Sequence, residues 1–511
     1  MWGRKEREPG VAVFTHISTL AGGVFTHDAG ISDLEIFRIK GTLRLYSASF
    51  ADGGLMALAP LPGQAAALVD TLDYAPGAGS WGVSALARAH FARTGDFLLP
   101  AGRLDSVTAV YGLGIDGSFG PRSGSAASAP SASLGYFGQI EAFRSGPAHL
   151  VATARSDSPG LDLFRMHADG SLSLKTHVAD TPSIPLGDVA DMASLRLGQR
   201  SYLFAASSLD AGIASFRVGK AGKAYLRDVV LPGDGGGFSL PTTLETATVQ
   251  HRKFLLMGAA GSSSISVFKV SAKGMLKETD YRLDDLNTRF SHVGALDSFN
   301  YKGHAYVLAG GADDGLTLFE LNPDGTLFTL QSLADQPGMS LRNVQAIATA
   351  VMGPEIQVFA AGSGTPGITQ LSLDLGAVGS IIRGTGGRDT LTGTALDDNI
   401  FGGGGRDHLD GGAGNDRLSD GAGRDVLTGG PGQDVFIFRQ DGKTDKITDF
   451  TFGEDRIDLS GYPMVHDISA LQIVDKPWGY VIHVNGEALK VELVPSQLGQ
   501  VHHFTMDDFI F

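Results

Sequence analysis

Residues 384–437 read GTGGRDTLT, GTALDDNIF, GGGGRDHLD, GGAGNDRLS, DGAGRDVLT and GGPGQDVFI, six nonapeptides joined without a gap. Aspartate holds the sixth place in each (Asp389, Asp398, Asp407, Asp416, Asp425, Asp434), and a large apolar residue holds the eighth (Leu391, Ile400, Leu409, Leu418, Leu427, Phe436). A flexible Gly/Asp linker shares this composition but has no reason to keep the phase through six copies. A short fixed period marks a stacked architecture, in which each unit buries its apolar face only against its neighbours. The run GGGGR from Gly402 also suggests a phosphate cradle, but the Lys-Ser/Thr pair of a phosphate-binding loop does not follow it.

The pattern GGxGxDxUx, complete at 402–410, resembles the calcium-binding nonapeptide repeat of RTX (repeat-in-toxin) proteins. The resemblance implies a flattened right-handed parallel β-roll, each nonapeptide supplying a six-residue turn and a three-residue strand. Two nonapeptides then make one full coil, with the eighth position pointing inward. Glycine permits positive φ and lets carbonyls converge. A carboxylate from each turn joins them in the all-oxygen shell that Ca²⁺ prefers, whereas Mg²⁺ demands a smaller, stricter octahedron. The expected metal residues are the six aspartates with the backbone of Gly384 and Gly386, Gly402 and Gly404, and Gly411 and Ala413. Aspartates 18 residues apart share an edge, so several structural calcium ions are expected in two columns. The second nonapeptide departs from the pattern, with Leu396 where glycine is expected and Asp397 as an extra carboxylate.

Beyond the repeats, DVFIFRQDGKTDKITDFTFGEDRIDLS from Asp434 resembles the capping segment of the same family. Asp445, Asp449, Asp455 and Asp458 alternate there with apolar residues, and read either as a further calcium site or, preferably, as solvated aspartates on a capping hairpin. Two strands are expected around Trp478 to Val484 and Ala488 to Val494. The ending FTMDDFIF, an acidic pair before an apolar triplet, resembles the C-terminal export signal of type I secretion substrates. The resemblance thus implies a Gram-negative bacterial protein, exported without a cleaved signal, with the type I machinery as a partner.

Upstream a longer period takes over. GLDLFRMHADGSL from Gly160, GIASFRVGKAGKA from Gly212, SISVFKVSAKGML from Ser264 and GLTLFELNPDGTL from Gly315 are copies of one unit, with weaker copies from Gly54, Val107 and Gly367. Each copy alternates as strands do, and four strands per unit of about 50 residues describe a β-propeller blade. Seven copies predict seven blades; a β-sandwich pair or a solenoid is the alternative. VAVFTHIS from Val11 precedes the first copy and is expected to complete the last blade, removing the open edges. The stretch GSFGPRSGSAASAPSASLG from Gly117 reads as a mobile loop. The expected fold is therefore all-β, with a propeller over 1–380, a roll over 381–440, and a β-rich cap carrying the export signal over 441–511.

Composition agrees. The 71 glycines favour turns over helices. From Ile381 onward 21 Asp and Glu face 11 Lys and Arg, which is ten of the chain's fifteen net negative charges. An acidic surface recruits cations and repels phosphate backbones, so nucleic acid is not an expected partner. Without cysteine there is no disulfide, zinc–thiolate site or thiol nucleophile. The charged start MWGRKEREPG is followed by no apolar stretch of signal-peptide length, and no run is long enough for a membrane helix.

For the propeller the wording of the repeats resembles the lactonase-like seven-bladed propellers, but it describes strands and turns. Polar groups expected where the first strands begin at the channel are Asp33, His90, Glu141, Asp191, His292, Asp297 and Arg342. HExxH, GxSxG and evenly spaced carboxylate pairs are absent. Two functions remain: a secreted binding module presenting loops to an extracellular or cell-surface ligand, or an extracellular lactonase-like hydrolase with its site in the channel.

Overall fold

The computed structural model describes residues 12–73, 82–102, 107–127, 137–155, 159–233 and 237–511. It divides into two compact units, Val13–Asp374 and Leu375–Phe511. Among the described residues no helix is long and apolar enough to cross a membrane.

The first unit holds seven four-stranded antiparallel sheets among the described residues, a seven-bladed propeller. The first blade shows the plan, with Ile31–Ile39, Thr42–Ser49, Gly54–Leu61 and Gln64–Asp73 paired in order. The middle strands read as unbroken apolar runs because sheets cover both their faces; Leu45, Leu55 and Met56 have no exposed surface. The Asp-Gly turns before the outer strands repeat one device. Asp116, Asp169 and Asp324 each accept the N–H two residues on, while Gly117, Gly170 and Gly325 take φ of 90°, 84° and 97°.

The ring closes in a specific way. Val13–Leu20 pairs antiparallel with Ile368–Asp374, so the strand ahead of the first blade becomes the outer strand of the seventh. The inner strands also neighbour one another in an unbroken cycle, with Ile31–Ile39 beside both Val83–Phe91 and Val344–Met352. Leu34, Leu45 and Met56 of the first blade pack with Ala348, Phe359 and Ile368 of the last. One expectation fails here. Phe119–Ala127, read as loop, is the outer strand of the second blade, paired with Val107–Leu113. A ladder bonds backbone to backbone, and an outer strand needs few apolar side chains, so its Ser, Gly and Ala content hides it. The rest of that loop, residues 128–136, lies outside the described residues.

The second unit is a parallel β-solenoid through residues 378–458, with strands added from the C-terminal segment. One sheet stacks Ile382, Ile400, Leu418, Phe436, Ile457 and Phe509 in register; the other stacks Leu391, Leu409, Leu427, Ile447 and Val491. From Ile400 to Ile457 each of these side chains is wholly buried. Each contributes roughly 1.5–3 kcal/mol, and the stack continues into the buried apolar residues of the cap, such as Phe450 and Ile482.

Candidate metal centre

The repeating aspartates form two ladders along the roll. In one, the N–H of Asp389 donates to Asp407 Oδ1 at 2.8 Å, Asp407 to Asp425 at 2.6 Å, and Asp425 to Asp445 at 2.9 Å. In the other, Asp398 donates to Asp416 at 2.8 Å, Asp416 to Asp434 at 2.9 Å, and Asp434 to Asp455 at 3.0 Å. Each bond occupies one carboxylate oxygen of the acceptor. The second oxygen, Oδ2, of Asp407, Asp416, Asp425 and Asp434 is buried with no hydrogen-bond partner. Four such orphans in one small unit are costly unless something outside the chain meets them.

The first two repeats differ. Asp389 Oδ2 accepts from Thr385 N and Oγ1 at 2.7 and 2.9 Å, and Asp398 Oδ2 accepts from Thr394 N and Oγ1 at 2.5 and 2.8 Å. The difference is written at the second place of the nonapeptide, threonine in repeats one and two and glycine in repeats three to six.

The glycines with left-handed backbone are not the ones expected at the metal. Left-handed backbone lies at the second and fourth places: Gly403, Gly412, Gly421 and Gly430 have φ of 91–98°, and Gly405, Gly414, Gly423 and Gly432 have φ of 124–153°. Gly384, Gly386, Gly402, Gly404 and Gly411 are outside that region, and Ala413 carries its side chain without strain. The corners of the coil fall at places two and four, while place one continues from the strand. Place one serves instead by clearing room: a Cβ on Gly411 or Gly429 would strike Asp416 Oδ2 or Asp434 Oδ2, and one on Gly402 would sit 3.0 Å from Asp407 Oδ2. Gly384 and Gly402 face the carbonyls of Gly402 and Asp420 of the next coil at similarly close range, whereas Gly386 faces nothing within 4 Å and Gly404 nothing nearer than Ala422 O at 3.7 Å.

Burial disfavours the charged form of these carboxyls. It pushes Asp416 and Asp425 up to about 6, and Asp434 to about 8, where Asp455, Asp416 and Asp449 add repulsion. Orphaned carboxylate oxygens, carbonyls at close range and like-charge repulsion are the donor set of a hard cation, and they fit Ca²⁺.

The capping aspartates are not solvated. Asp445, Asp455 and Asp458 are buried, and Asp445 and Asp455 extend the two ladders by a further coil. The longer spacings, 20 and 21 residues instead of 18, hid this continuation. Asp420, at a first place otherwise held by glycine, brings its carboxylate beside Asp425 and Asp445, with ligand oxygens within 4.8 Å of one another. The final segment closes the stack: Thr505 and Asp508 form a capping box, and Phe509–Ile510 pairs parallel with Arg456–Asp458.

In the propeller, the structure brings together only part of the expected set. Asp33, Glu141, Asp191 and Asp297 line a central cavity of about 440 Å³. His90 lies in a separate hollow with Arg88, Arg144, His149 and Arg196, its Nδ1 3.0 Å from Asp96. His292 is exposed, 3.1 Å from Ser291 Oγ, and the exposed Arg342 is 3.8 Å from Asp314. Asp33 and Asp191 each tie their blade to the next, Asp33 Oδ2 accepting from Leu86 N at 2.6 Å and Asp191 Oδ2 from Leu244 N at 2.7 Å. Two lining carboxylates were missed, Glu35 and Glu245. The signal for Glu35 was at hand: it lies two residues beyond Asp33 on one strand, hence on the same face.

Residues 383–418 and 410–440 match the family model of the RTX calcium-binding nonapeptide repeat, in four copies. Residues 383–440 thus carry calcium-binding nonapeptide repeats of RTX type. No curated protein matches it. Among solved structures it is similar to a protein from Lactobacillus plantarum, at 15% identity over 62% of this chain and 92% of that one, TM-score 0.45. It is likewise similar to the periplasmic gluconolactonase of Pseudomonas aeruginosa, at 15% identity over 60% and 86%, TM-score 0.46. Neither similarity bears on activity.

Proposed function

We propose that this is a secreted protein whose roll folds on binding several structural calcium ions outside the cell, and whose propeller is a module for binding an extracellular or cell-surface ligand. The observation that carries the reading is the set of buried, unpartnered Oδ2 atoms on Asp407, Asp416, Asp425 and Asp434. These oxygens would hold the ions together with backbone carbonyls, and an ion there neutralises carboxylates that repel one another. Asp389 would contribute through the oxygen its threonine leaves free, whereas both oxygens of Asp398 already accept, Oδ1 from Ser380 N and Oδ2 from Thr394.

The proposed role of calcium follows from linkage. A site present only in the folded state adds RT ln(1 + [Ca²⁺]/Kd), roughly 2.7 kcal/mol when calcium is a hundredfold above Kd and almost nothing far below it. Submicromolar calcium inside the cell then leaves the roll unfolded for the type I machinery, and millimolar calcium outside sets it. Limited proteolysis of the full chain tests this. In EDTA, cleavage should concentrate in residues 375–511 while 13–374 survives, and calcium should protect both. Equal protection of 375–511 with and without calcium would sink the reading.

One observation favours a hydrolase in the channel: burial pushes Glu141, Asp191 and Asp297 up to about 7, a range suited to proton transfer. A lactone and ester hydrolysis screen with calcium present, using Asp297→Ala as control, decides between module and enzyme.

A further inference from the structure

The propeller carries charge of opposite sign at its two ends. The hairpins that join the first and second strands of the seven blades, 38–43, 90–96, 144–149, 196–201, 248–253, 300–305 and 351–356, hold nine Lys and Arg against two acids, Asp96 and Glu355. The hairpins that join second and third strands at the other end, 49–54, 207–212, 259–264, 310–315 and 362–368 among the described residues, carry Asp52, Asp210, Asp313 and Asp314 and no Lys, Arg or His. A chain of net charge −15 thus keeps one cationic face.

Register places these cations at one level. Arg38, His90, Arg144 and Arg196 occupy the same place on the first strands of blades one to four, paired with Leu43, Asp96, His149 and Ser201. The equivalents in blades five to seven are Thr248, Asn300 and Val351, so positive charge gathers on one side of the ring. Neighbouring blades touch here: Arg88 Nη2 donates to Arg38 O at 3.1 Å, and Asn300 Nδ2 to Thr248 O at 2.8 Å.

Two hollows open on the cationic side. One, of about 350 Å³, is lined by Arg88, His90, Arg144, His149 and Arg196; the next, of about 550 Å³, shares Arg196 and adds Arg200, Arg252, Lys253 and Lys269. Neither has an Asp or Glu among its lining residues. Asp96 takes up Arg88 and His90, at 2.6 and 3.0 Å. Arg144 and Arg196, both exposed, form no ion pair among the described residues; Arg196 bonds only neutral groups, Gly198 O at 3.0 Å and Gln199 Oε1 at 3.3 Å. His149 lies flat on Phe91, ring centroids 3.8 Å apart, and burial together with the charges of Arg144 and His90 holds it below its ordinary value.

We propose that this face docks an anionic polysaccharide, whose carboxylate or sulfate groups seat between Arg144 and Arg196. This rests on the reading of the propeller as a module for an extracellular ligand, and names the class of that ligand. A guanidinium fork grips a carboxylate or sulfate through two parallel hydrogen bonds. Two hollows joined through one arginine suit a chain with separated charges on bulky rings, whereas a flat membrane surface would leave both unfilled. Duplex DNA, with a charge about every 1.7 Å, meets the repulsion of an otherwise acidic chain more strongly.

The test uses the full chain in saturating calcium and measures binding to immobilised hyaluronate, heparin, neutral dextran and a short DNA duplex. Wild type is compared with Arg144→Gln/Arg196→Gln and with Arg388→Gln/Arg406→Gln, which removes the same charge from exposed places on the roll. Wild type should hold hyaluronate and heparin, release both as salt rises, and leave dextran unbound. The propeller pair should weaken that binding on the order of tenfold. Its propeller should melt as wild type does, because both side chains are exposed, and the roll pair should bind as wild type does. Equal weakening by the two pairs, or none by the propeller pair, would overturn the proposal. So would a duplex held more tightly than either polysaccharide. Binding to dextran alone would overturn it too, while keeping the propeller a binding module. Binding to none of the four, with lactone hydrolysis in the screen above, would remove the module reading as well.

Discussion

Asp434 receives the backbone N–H of Asp416 on Oδ1 at 2.9 Å and leaves Oδ2 buried and unpartnered. Asp434→Asn keeps the first oxygen but turns an N–H toward the space where the second stood. The calcium needed for half-folding of the roll should rise on the order of tenfold, since affinity in such sites follows ligand charge. Asp398→Asn should shift it less, because Thr394 already satisfies that second oxygen. A calcium titration of Trp478 fluorescence, in a chain with Trp2 and Trp81 replaced by Phe, compares the two. Equal shifts would contradict the distinction.

Glycines of the roll should separate by place. Gly430→Ala meets both a φ of 96° and the carbonyl of Gly412, and should destabilise the calcium-loaded roll by roughly 1–3 kcal/mol. Gly386→Ala should be close to neutral, as nothing lies within 4 Å of the added methyl. Urea unfolding at saturating calcium measures both.

The pH response has a definite sign. Burial raises Asp416 and Asp425 to about 6, Asp445 and Asp455 to about 7 and Asp434 to about 8, from 3.8. Folded states with raised carboxyl values hold protons that the unfolded chain has released. Their stabilising effect is complete below pH 4 and is lost as pH climbs through 6 to 8. Without calcium the roll should therefore keep more structure at pH 5 than at pH 8.5. Calcium and protons compete for the same oxygens, so affinity should tighten from pH 6 to 8. An affinity that is flat across that interval would refute the competition.

Deleting residues 1–20 should damage the propeller. Ile368–Asp374 would lose its antiparallel partner Val13–Leu20 and become an open edge. The propeller should melt at a lower temperature and self-associate, which calorimetry and light scattering would detect. An unchanged melt would mean that closure does not need this strand.

The roll was readable from residue order because its repeat is nine residues long and every rung touches only the next. Aspartate at the sixth place and leucine at the eighth therefore report their own neighbours, as Asp398 and Asp416 or Leu409 and Leu427 do. Blade number was readable for the same reason at a longer period. Where spacing changes, periodicity stops deciding: Asp445 and Asp455 continue the ladders across 20 and 21 residues, and their order alone leaves both a further calcium site and solvated groups open. The polar strand Phe119–Ala127 was missed because its place depends on backbone pairing with Val107–Leu113.

Residue order alone, then, determined the stacked roll, its calcium chemistry and the seven blades, all of which rest on contacts between units adjacent in the chain. Only the tertiary structure decided which carboxylate oxygens lack partners, that glycines two and four turn the coil, and that Glu35 and Asp297 line one channel while His90 and His292 lie outside it. The first two depend on the backbone angle and direction each residue takes within the coil, and the third on closing the ring of blades from Val13 to Asp374, which local periodicity does not encode.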